Sequence, residues 1–344
     1  MWLNLKTEQK RLVLDQLSNI MGLPAFVIEK DWWVCIVLKA VFATKYAESI
    51  IFKGGTSLSK AYQLIDRFSE DIDLIIDRHL LGFDELDSKT QIKKLRKASG
   101  GFIINEFREE LILQLEKLGV PKDFYEIRYN TYVDDTSDPN TLEIYYQPIA
   151  PVGHAYIKQR VLLEMGARSL TEPFEIQSVV SFIDNHYKDQ DFIQPAFNVR
   201  VVIPTRTFIE KVLLLHEEFS KPVDKIRTDR LTRHFYDIDR IMNTDFGEKA
   251  IADEELFNTI VRHRKTVTPL RGIDYSNHRK GRLSILPPDE VIKEWGADYK
   301  TMRENMIVGE SLTWEDLLKS VKRIEDKFNI NQLSEDKETP KKRN

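Results

Sequence analysis

The sequence has a single cysteine, Cys35, among 344 residues, and it has no run of about 18 apolar residues. One cysteine excludes an internal disulfide framework and a zinc site built from cysteines. The lack of a long apolar run argues against a membrane span, and the first residues lack the apolar segment of a signal peptide. The formal net charge is only −4, so nucleic-acid binding would require a local basic patch. We therefore expect a cytoplasmic protein without a membrane partner.

Several catalytic motifs are also missing. The seven histidines are never spaced as H-x-x-x-H or H-E-x-x-H, so the sequence does not indicate a histidine metal site. A G-x-S-x-G nucleophile motif is absent, and Cys35 lies in an apolar segment, where a thiol is most simply part of the core.

The composition is that of a folded protein, with 42% hydrophobic and 31% charged residues. The length predicts two domains. Short β-like runs are mixed with helical patterns up to Pro204, and helical patterns alone follow. These patterns predict a mixed α/β (α+β) domain over 1–204, a helical domain over 205–332 and a disordered tail over 333–344.

The periodicity also predicts the individual elements. Strands are expected near 49–52, 71–76, 125–133, 141–147, 160–165 and 197–203. Helices are expected near 6–22, 26–43, 56–65, 90–119, 205–219, 229–243, 252–264, 288–296 and 313–328, with a weak point at Gly100-Gly101.

The most informative segment is 50–76, in which a strand runs into Gly54-Gly55 and a helix is expected from Thr56-Ser57. Two glycines let the backbone approach a bulky anion, and the N–H groups of a helix start point towards it. The two hydroxyls add hydrogen-bond donors, so the arrangement suits a phosphate. It lacks the Walker pattern, and an ordinary strand–turn–helix is the alternative interpretation.

Two carboxylates follow in the next strand. Asp71 and Asp73 point to the same face because side chains alternate along a strand. Adjacent carboxylates repel each other unless a cation lies between them, and magnesium prefers carboxylate and phosphate oxygens. The alternative is an exposed edge strand with two solvated acids.

The glycine pair with Leu58, together with the run Arg67-Phe68-Ser69-Glu70-Asp71-Ile72-Asp73-Leu74, resembles the first motif of AbiEii/AbiGii-type nucleotidyltransferase toxins. This family belongs to the DNA polymerase β-like nucleotidyltransferase superfamily and includes the MenT toxins. The segments 208–211 and 233–238 resemble the family's motifs in its helical domain. The resemblance implies a nucleotidyltransferase domain with a mixed sheet, followed by a helical domain.

The resemblance also implies roles for individual residues. Asp71 and Asp73 would hold Mg²⁺ or Mn²⁺ and be catalytic, with Glu164 as a third metal ligand; Lys211 and Asp237 would complete the catalytic set. The nucleotide would be bound by Gly54, Gly55, Thr56, Ser57, Arg67, Ser69 and Lys211.

Simpler roles stay open for these residues. Glu164 can pair with Arg160 or Arg168 in its own strand region. Lys211 can extend its ammonium to solvent from a largely apolar helix face. Asp237 can form an i,i+4 surface pair with Arg233. Arg67 and Ser69 can be ordinary turn and loop residues.

One stretch is strongly basic within the acidic chain. Residues 262–282 contain seven cations and one acid, and Tyr275 lies between them. The stretch predicts a contact with an RNA backbone, with the tyrosine stacked on a base; a solvated helix end and loop is the alternative. The predicted RNA-binding residues are Arg262, Arg264, Lys265, Arg271, Arg279, Lys280 and Arg282.

The function implied by the resemblance is the toxin of a type IV toxin–antitoxin or abortive-infection pair. It would transfer a nucleotide from an NTP to an RNA acceptor, such as a tRNA 3′ end, and a neighbouring gene would encode the cognate antitoxin. Two alternatives stay open: a transferase that modifies a protein or a small molecule, and a nucleotide-binding regulator without transfer activity.

Overall fold

The computed structural model describes residues 1–69, 71–130, 139–150, 158–307 and 309–330. The chain divides into two compact units, Met1–Val202 and Ile203–Asn344. The predicted tail over 333–344 lies outside the described residues.

The first unit is built on one sheet in which seven strands are described. They are β1 (Ile50–Lys53), β2 (Asp71–Ile76), β3 (Tyr125–Tyr129), β4 (Asn140–Tyr146), β5 (Arg160–Gly166), β6 (Phe174–Val179) and β7 (Phe197–Val202). Their order across the sheet is β3-β4-β5-β2-β1-β7-β6. Strand β2 runs antiparallel to β1 and parallel to β5, so the sheet is mixed, and the expected α/β fold class is confirmed.

Six α-helices are described in the first unit beside the sheet. They are α1 (Thr7–Met21), α2 (Ala25–Phe42), α3 (Gly54–Lys60), α4 (Lys89–Phe102), α5 (Arg108–Lys117) and α6 (Phe182–His186). Helix α2 contacts β2, β5 and β7 and is buried over most of its length, as its strongly apolar sequence predicted. Cys35 lies within it as a buried free thiol.

Helix α2 also carries buried charged side chains, each of which has a partner. Glu29 accepts hydrogen bonds from the backbone N–H groups of Ile149 and Ala150, at 2.7 and 2.9 Å. Asp31 accepts one from the N–H of Phe182 at 2.8 Å and forms an ion pair with Lys60. A buried charge is tolerated only when it is paired in this way. These residues therefore connect α2 to α3, to α6 and to the segment that follows β4.

Three expectations for the first unit need correction. Helix α3 begins at Gly54 and ends at Lys60 rather than running from 56 to 65, because Gln63 adopts a left-handed backbone (φ 53°) that a helix cannot include. The stretch 89–117 stays helical past the glycine pair, with a π-helical turn over Ile103–Phe107 between α4 and α5. Strand β6 was not expected. It lies at the edge of the sheet, where Ile176 is 66% exposed, and its residues do not alternate between buried and exposed.

The second unit, where it is described, is helical. Its helices are α7 (Pro204–Phe219), α8 (Thr232–Met242), α9 (Asp245–Ala252), α10 (Glu254–Thr266), α11 (Ile292–Met306) and α12 (Trp314–Ile330). Helix α8 is central, since it contacts α7, α9, α11 and α12. Helix α9 was not expected, and α11 is longer than the predicted 288–296. Among the described residues, no helix of either unit is long and apolar enough to cross a bilayer.

Candidate functional site

The predicted acids of the first unit meet on two neighbouring parallel strands. The register of β2 and β5 places Asp73 beside Glu164 and Asp71 beside Leu162. Both aspartates and the glutamate are half-buried, while Ile72, Leu163 and the other alternate residues are buried. The three carboxyls therefore share one face of the sheet. Arg160, the alternative partner of Glu164, lies 3.4 Å from Glu143 instead.

The electrostatics of this face reflect a concentration of negative charge. Burial raises the pKa of the Glu164 carboxyl, and the neighbouring charge of Asp73 raises it further. A hydrogen bond with Asp73 and the charge of Asp71 act in the same direction. The nearby ammonium of Lys53 opposes them. Such a set of carboxyls is stabilised by a cation.

Lys53 is a residue of this site that the sequence analysis missed. It ends β1 and stands opposite Asp73 in the antiparallel register of β1 and β2. Its Nζ donates a hydrogen bond to Ser169 Oγ at 3.3 Å. The sequence could have indicated this role, because Lys53 lies immediately before the glycine pair. Pairing of β1 with the acid-bearing strand β2 then places Lys53 opposite Asp73.

The glycine pair is required by the close approach of side chains from the acid-bearing segment. Gly54 has a φ of +82°, and a Cβ on it would lie 2.0 Å from Asp73 Oδ2. A Cβ on Gly55 would lie 2.5 Å from Arg67 Nη2 and 3.0 Å from Ser69 Oγ. The glycines therefore let Asp73, Arg67 and Ser69 pack directly against the turn between β1 and α3.

The two hydroxyls after the glycines stabilise this turn in the structure. Ser57 is fully buried and donates to Gly54 O at 2.9 Å. Thr56 is fully buried as well, donates to Asp71 O, and has its Oγ1 2.9 Å from Ser69 Oγ. The expectation that both hydroxyls donate to a phosphate is corrected: Ser57 donates within the turn, and Thr56 donates to the acid-bearing strand.

The donor set can be compared with the needs of a divalent metal. Asp71, Asp73 and Glu164 offer oxygen ligands from adjacent strands, and Mg²⁺ or Mn²⁺ prefers oxygen ligands. Within the described ranges, no group of three or more His, Cys, Asp or Glu side chains forms a ready-made metal site. The oxygen ligands of these carboxyls fit a cation. In the structure, however, Asp73 and Glu164 are hydrogen-bonded to each other.

In the second unit, Lys211 of α7 and Asp237 of α8 form an ion pair of 2.9 Å between Nζ and Oδ2. Asp237 is fully buried and Lys211 is 8% exposed. His234 Nδ1 lies 3.3 Å from the same ammonium. The burial of Asp237 excludes the alternative of a surface pair with Arg233, and that of Lys211 excludes an ammonium extended to solvent. The ammonium is thus held in place by groups from α8.

The predicted RNA-binding residues do not all face solvent. Arg262, Lys265, Arg271, Arg279 and Arg282 are exposed. Arg264 instead forms a bidentate pair with Glu217, in which Nε lies 2.9 Å from Oε1. Lys280 is buried and donates to Ile251 O at 2.6 Å. The prediction that Arg264 and Lys280 bind RNA is corrected, because both side chains bind groups of their own unit.

Glu217 organises a buried polar cluster that the sequence analysis missed. Tyr275 OH lies 3.1 Å from Glu217 Oε1, and His278 Nε2 lies 3.6 Å from the same oxygen. Burial alone would raise the pKa of Glu217, but hydrogen bonds and charges from Arg264 and His278 outweigh it and lower the pKa to about 2. The hydroxyl of Tyr275 is held in this cluster, while its ring is half-buried; stacking of the ring on a base stays a prediction.

The chain can now be compared with known proteins. The family model "Nucleotidyl transferase AbiEii toxin, Type IV TA system" matches residues 36–320. No curated protein matches the chain.

The solved structures that are similar to this chain include the following two. JHP933 from Helicobacter pylori is 12% identical, with a TM-score of 0.44 over 90% of this chain and 94% of that chain. The nucleotidyltransferase toxin MenT4 from Mycobacterium tuberculosis H37Rv is 14% identical, with a TM-score of 0.41 over 92% and 98% of the two chains. At these scores neither likeness bears on the fold or the activity of this chain.

Proposed function

This chain belongs to the AbiEii nucleotidyl transferase toxin family of type IV toxin–antitoxin systems, and from this premise we propose that it transfers a nucleotide from an NTP to an RNA acceptor. The observation that carries the proposal is the convergence of Asp71, Asp73 and Glu164 on one sheet face, packed against the Gly54-Gly55 turn. Carboxylates beside a glycine turn are the groups that a metal-dependent phosphoryl or nucleotidyl transfer needs.

Asp71 and Asp73, with Glu164, are proposed to hold Mg²⁺ or Mn²⁺. When bound, the metal would lower the pKa of the attacking hydroxyl and neutralise the leaving pyrophosphate. The chain's own contribution is to fix the carboxylates: Thr56 holds the backbone carbonyl of Asp71, and Gly54 sets the position of the Asp73 side chain. Lys53 offsets part of the negative charge on this face.

The triphosphate is proposed to bind at the glycine turn. The backbone of Gly54-Gly55 can approach phosphate oxygens closely, and Arg67 and Ser69 stand directly beside Gly55. Thr56 and Ser57 contribute by holding the turn. We extend the proposal to Lys211 as a further phosphate-neutralising group, with Asp237 orienting its ammonium, on the strength of the family resemblance and their buried ion pair.

The acceptor is proposed to be RNA, such as a tRNA 3′ end, and a cognate antitoxin is the expected protein partner, as the family's name implies. The exposed cations Arg262, Lys265, Arg271, Arg279 and Arg282 support RNA as acceptor. A protein or small-molecule acceptor, and a regulator that forms no product, are the alternatives to be separated by experiment.

A transfer assay tests the proposal. The protein is incubated with each labelled NTP, magnesium, and total RNA or total protein. The expected result is label on RNA, reduced at least about 100-fold by Asp71→Asn, because the metal's contribution to the barrier is several kcal/mol. Asp77→Asn is the matched control, since Asp77 directly follows the same strand but its carboxylate contacts His79, with the backbone N at 3.0 Å and Nδ1 at 2.6 Å. Label confined to protein or small molecules, or equal transfer by Asp71→Asn, would refute the proposal.

A further inference from the structure

Helix α4 (Lys89–Phe102) carries an unbalanced positive charge. Its fourteen residues include five cations and no aspartate or glutamate, although the chain as a whole has a net charge of −4. The cations are Lys89, Lys93, Lys94, Arg96 and Lys97. A helix in a near-neutral globular protein usually mixes the two signs on its exposed face.

The charge lies on the outer face of the helix. Ile92, Leu95 and Phe102 form the buried face, and α4 packs against β5, the strand that carries Glu164. Lys89, Lys93 and Lys97 follow at four-residue spacing and therefore share the opposite, exposed face. With a rise of 1.5 Å per residue, this row of ammonium groups extends over about 12 Å of helix.

Three of these lysines are not neutralised by neighbours. The side chains of Lys89, Lys94 and Lys97 are exposed, and within the described ranges none of these three ammonium groups forms an ion pair or a hydrogen bond. The exposed lysines Lys122 and Lys319 behave differently, since they lie 2.7 Å from Glu116 and 2.9 Å from Asp316. The ammonium groups of Lys89, Lys94 and Lys97 are therefore available to an external anion.

We propose that the exposed face of α4 binds the phosphate backbone of the RNA acceptor. A row of lysine point charges suits phosphates that repeat along a strand. A protein partner would need apolar or aromatic side chains at the centre of its contact, and α4 has no large apolar side chain among its exposed residues. The inference rests on the proposed function in one respect only, namely that the acceptor is RNA.

The test compares two triple variants of the full chain. Lys89→Gln/Lys94→Gln/Lys97→Gln removes the three unneutralised charges, and glutamine keeps the helix propensity of the segment. The control Lys122→Gln/Lys225→Gln/Lys319→Gln removes three lysines of similar exposure that are already paired with acids. Binding of fluorescein-labelled bulk tRNA is measured without NTP between about 50 and 200 mM salt.

The α4 variant is expected to bind tRNA at least about tenfold more weakly at low salt, with a salt slope smaller by about two, because each lost phosphate contact removes about 0.7 to 0.9 from the slope. The control variant is expected to bind like the wild type. Equal affinity and slope for the α4 variant and the wild type would overturn the proposal. The proposal would also be overturned if the α4 variant lost binding to labelled polyglutamate but kept its binding to tRNA. That result would identify an acidic protein as the ligand.

The binding and transfer results can fail independently. The binding assay contains no NTP, so absence of nucleotide transfer to RNA would refute the proposed function without touching the α4 result. Transfer to RNA that depends on Asp71, combined with unchanged tRNA binding by the α4 variant, would refute the α4 proposal alone.

Discussion

Substitution of Gly54 by alanine tests how the turn controls the acid-bearing strand. Gly54 combines a left-handed backbone, with φ +82°, and contact with Asp73: a Cβ would lie 2.0 Å from Oδ2, 2.8 Å from Cγ and 3.1 Å from Cβ of Asp73. The short aspartate side chain cannot avoid all three contacts by rotation alone. The carboxylate or the turn itself must therefore move.

The cost can be worked out from two contributions. An L-residue in the left-handed region loses about 1–2 kcal/mol relative to glycine. Forcing a methyl group into a packed contact costs about 1–3 kcal/mol more. We therefore expect Gly54→Ala to lower the free energy of unfolding by about 2–5 kcal/mol.

Gly22→Ala is the matched control, because Gly22 has a similar backbone, with φ +67°, and nothing within 4 Å of its Cβ position. It should lose only the backbone contribution, about 1–2 kcal/mol. The two variants are compared by urea unfolding and by nucleotide transfer to RNA. Gly54→Ala should reduce transfer at least about tenfold, since a displacement of about 1 Å at a catalytic group has large effects, and Gly22→Ala should leave transfer unchanged under conditions where both are folded.

Equal effects of the two alanine substitutions on stability and on transfer would refute this reasoning. That result would mean that the contact between Gly54 and Asp73 does not hold the carboxylate.

Three further predictions concern buried charges. Lys211→Met should destabilise the fold by about 3–5 kcal/mol, because it removes the ammonium that forms an ion pair with the buried Asp237. Adding Asp237→Asn should restore stability but not transfer. Recovery of transfer in the double variant would contradict the proposed role of the lysine. The pKa of Glu217 is lowered from 4.5 to about 2, so its ionised form should stabilise the fold by about 3 kcal/mol above pH 4.5. The difference in unfolding free energy between the wild type and Glu217→Gln should therefore shrink as the pH falls from 4.5 towards 2. A difference that does not change with pH in urea unfolding would refute this. Burial raises the pKa of Glu29 to about 7. The wild type should therefore lose about 3 kcal/mol of unfolding free energy as the pH rises from 4.5 through 7. The same loss in Glu29→Gln would show that other groups cause it.

The sequence predicted those parts of the fold whose local pattern agrees with their burial. Strand β2 and helix α2 are examples: the first alternates acids with apolar residues at its start, and the second is strongly apolar over most of its length. Strand β6 was missed because an edge strand with Ile176 exposed has no such alternation. The end of α3 was missed because the left-handed backbone of Gln63 has no signal in residue type.

The candidate site was predictable in its residues but not in its contacts. Asp71 and Asp73 share a face by the geometry of any strand, whereas the proximity of Lys53 and Glu164 depends on which strands pair and in which register. The sequence likewise shows which residues are charged but not where their side chains point. Arg264 lies in a basic stretch, yet its guanidinium is buried against Glu217, a partner 47 residues away along the chain.

Mass analysis of RNA from cells that express the protein tests the central claim most directly. The account predicts that an RNA species gains the mass of one or more nucleotides in cells with the wild-type protein, and that this gain disappears with Asp73→Asn at equal expression. Inhibition of growth by the wild-type protein with no change in the mass of any RNA, or an equal gain in cells with Asp73→Asn, would contradict it.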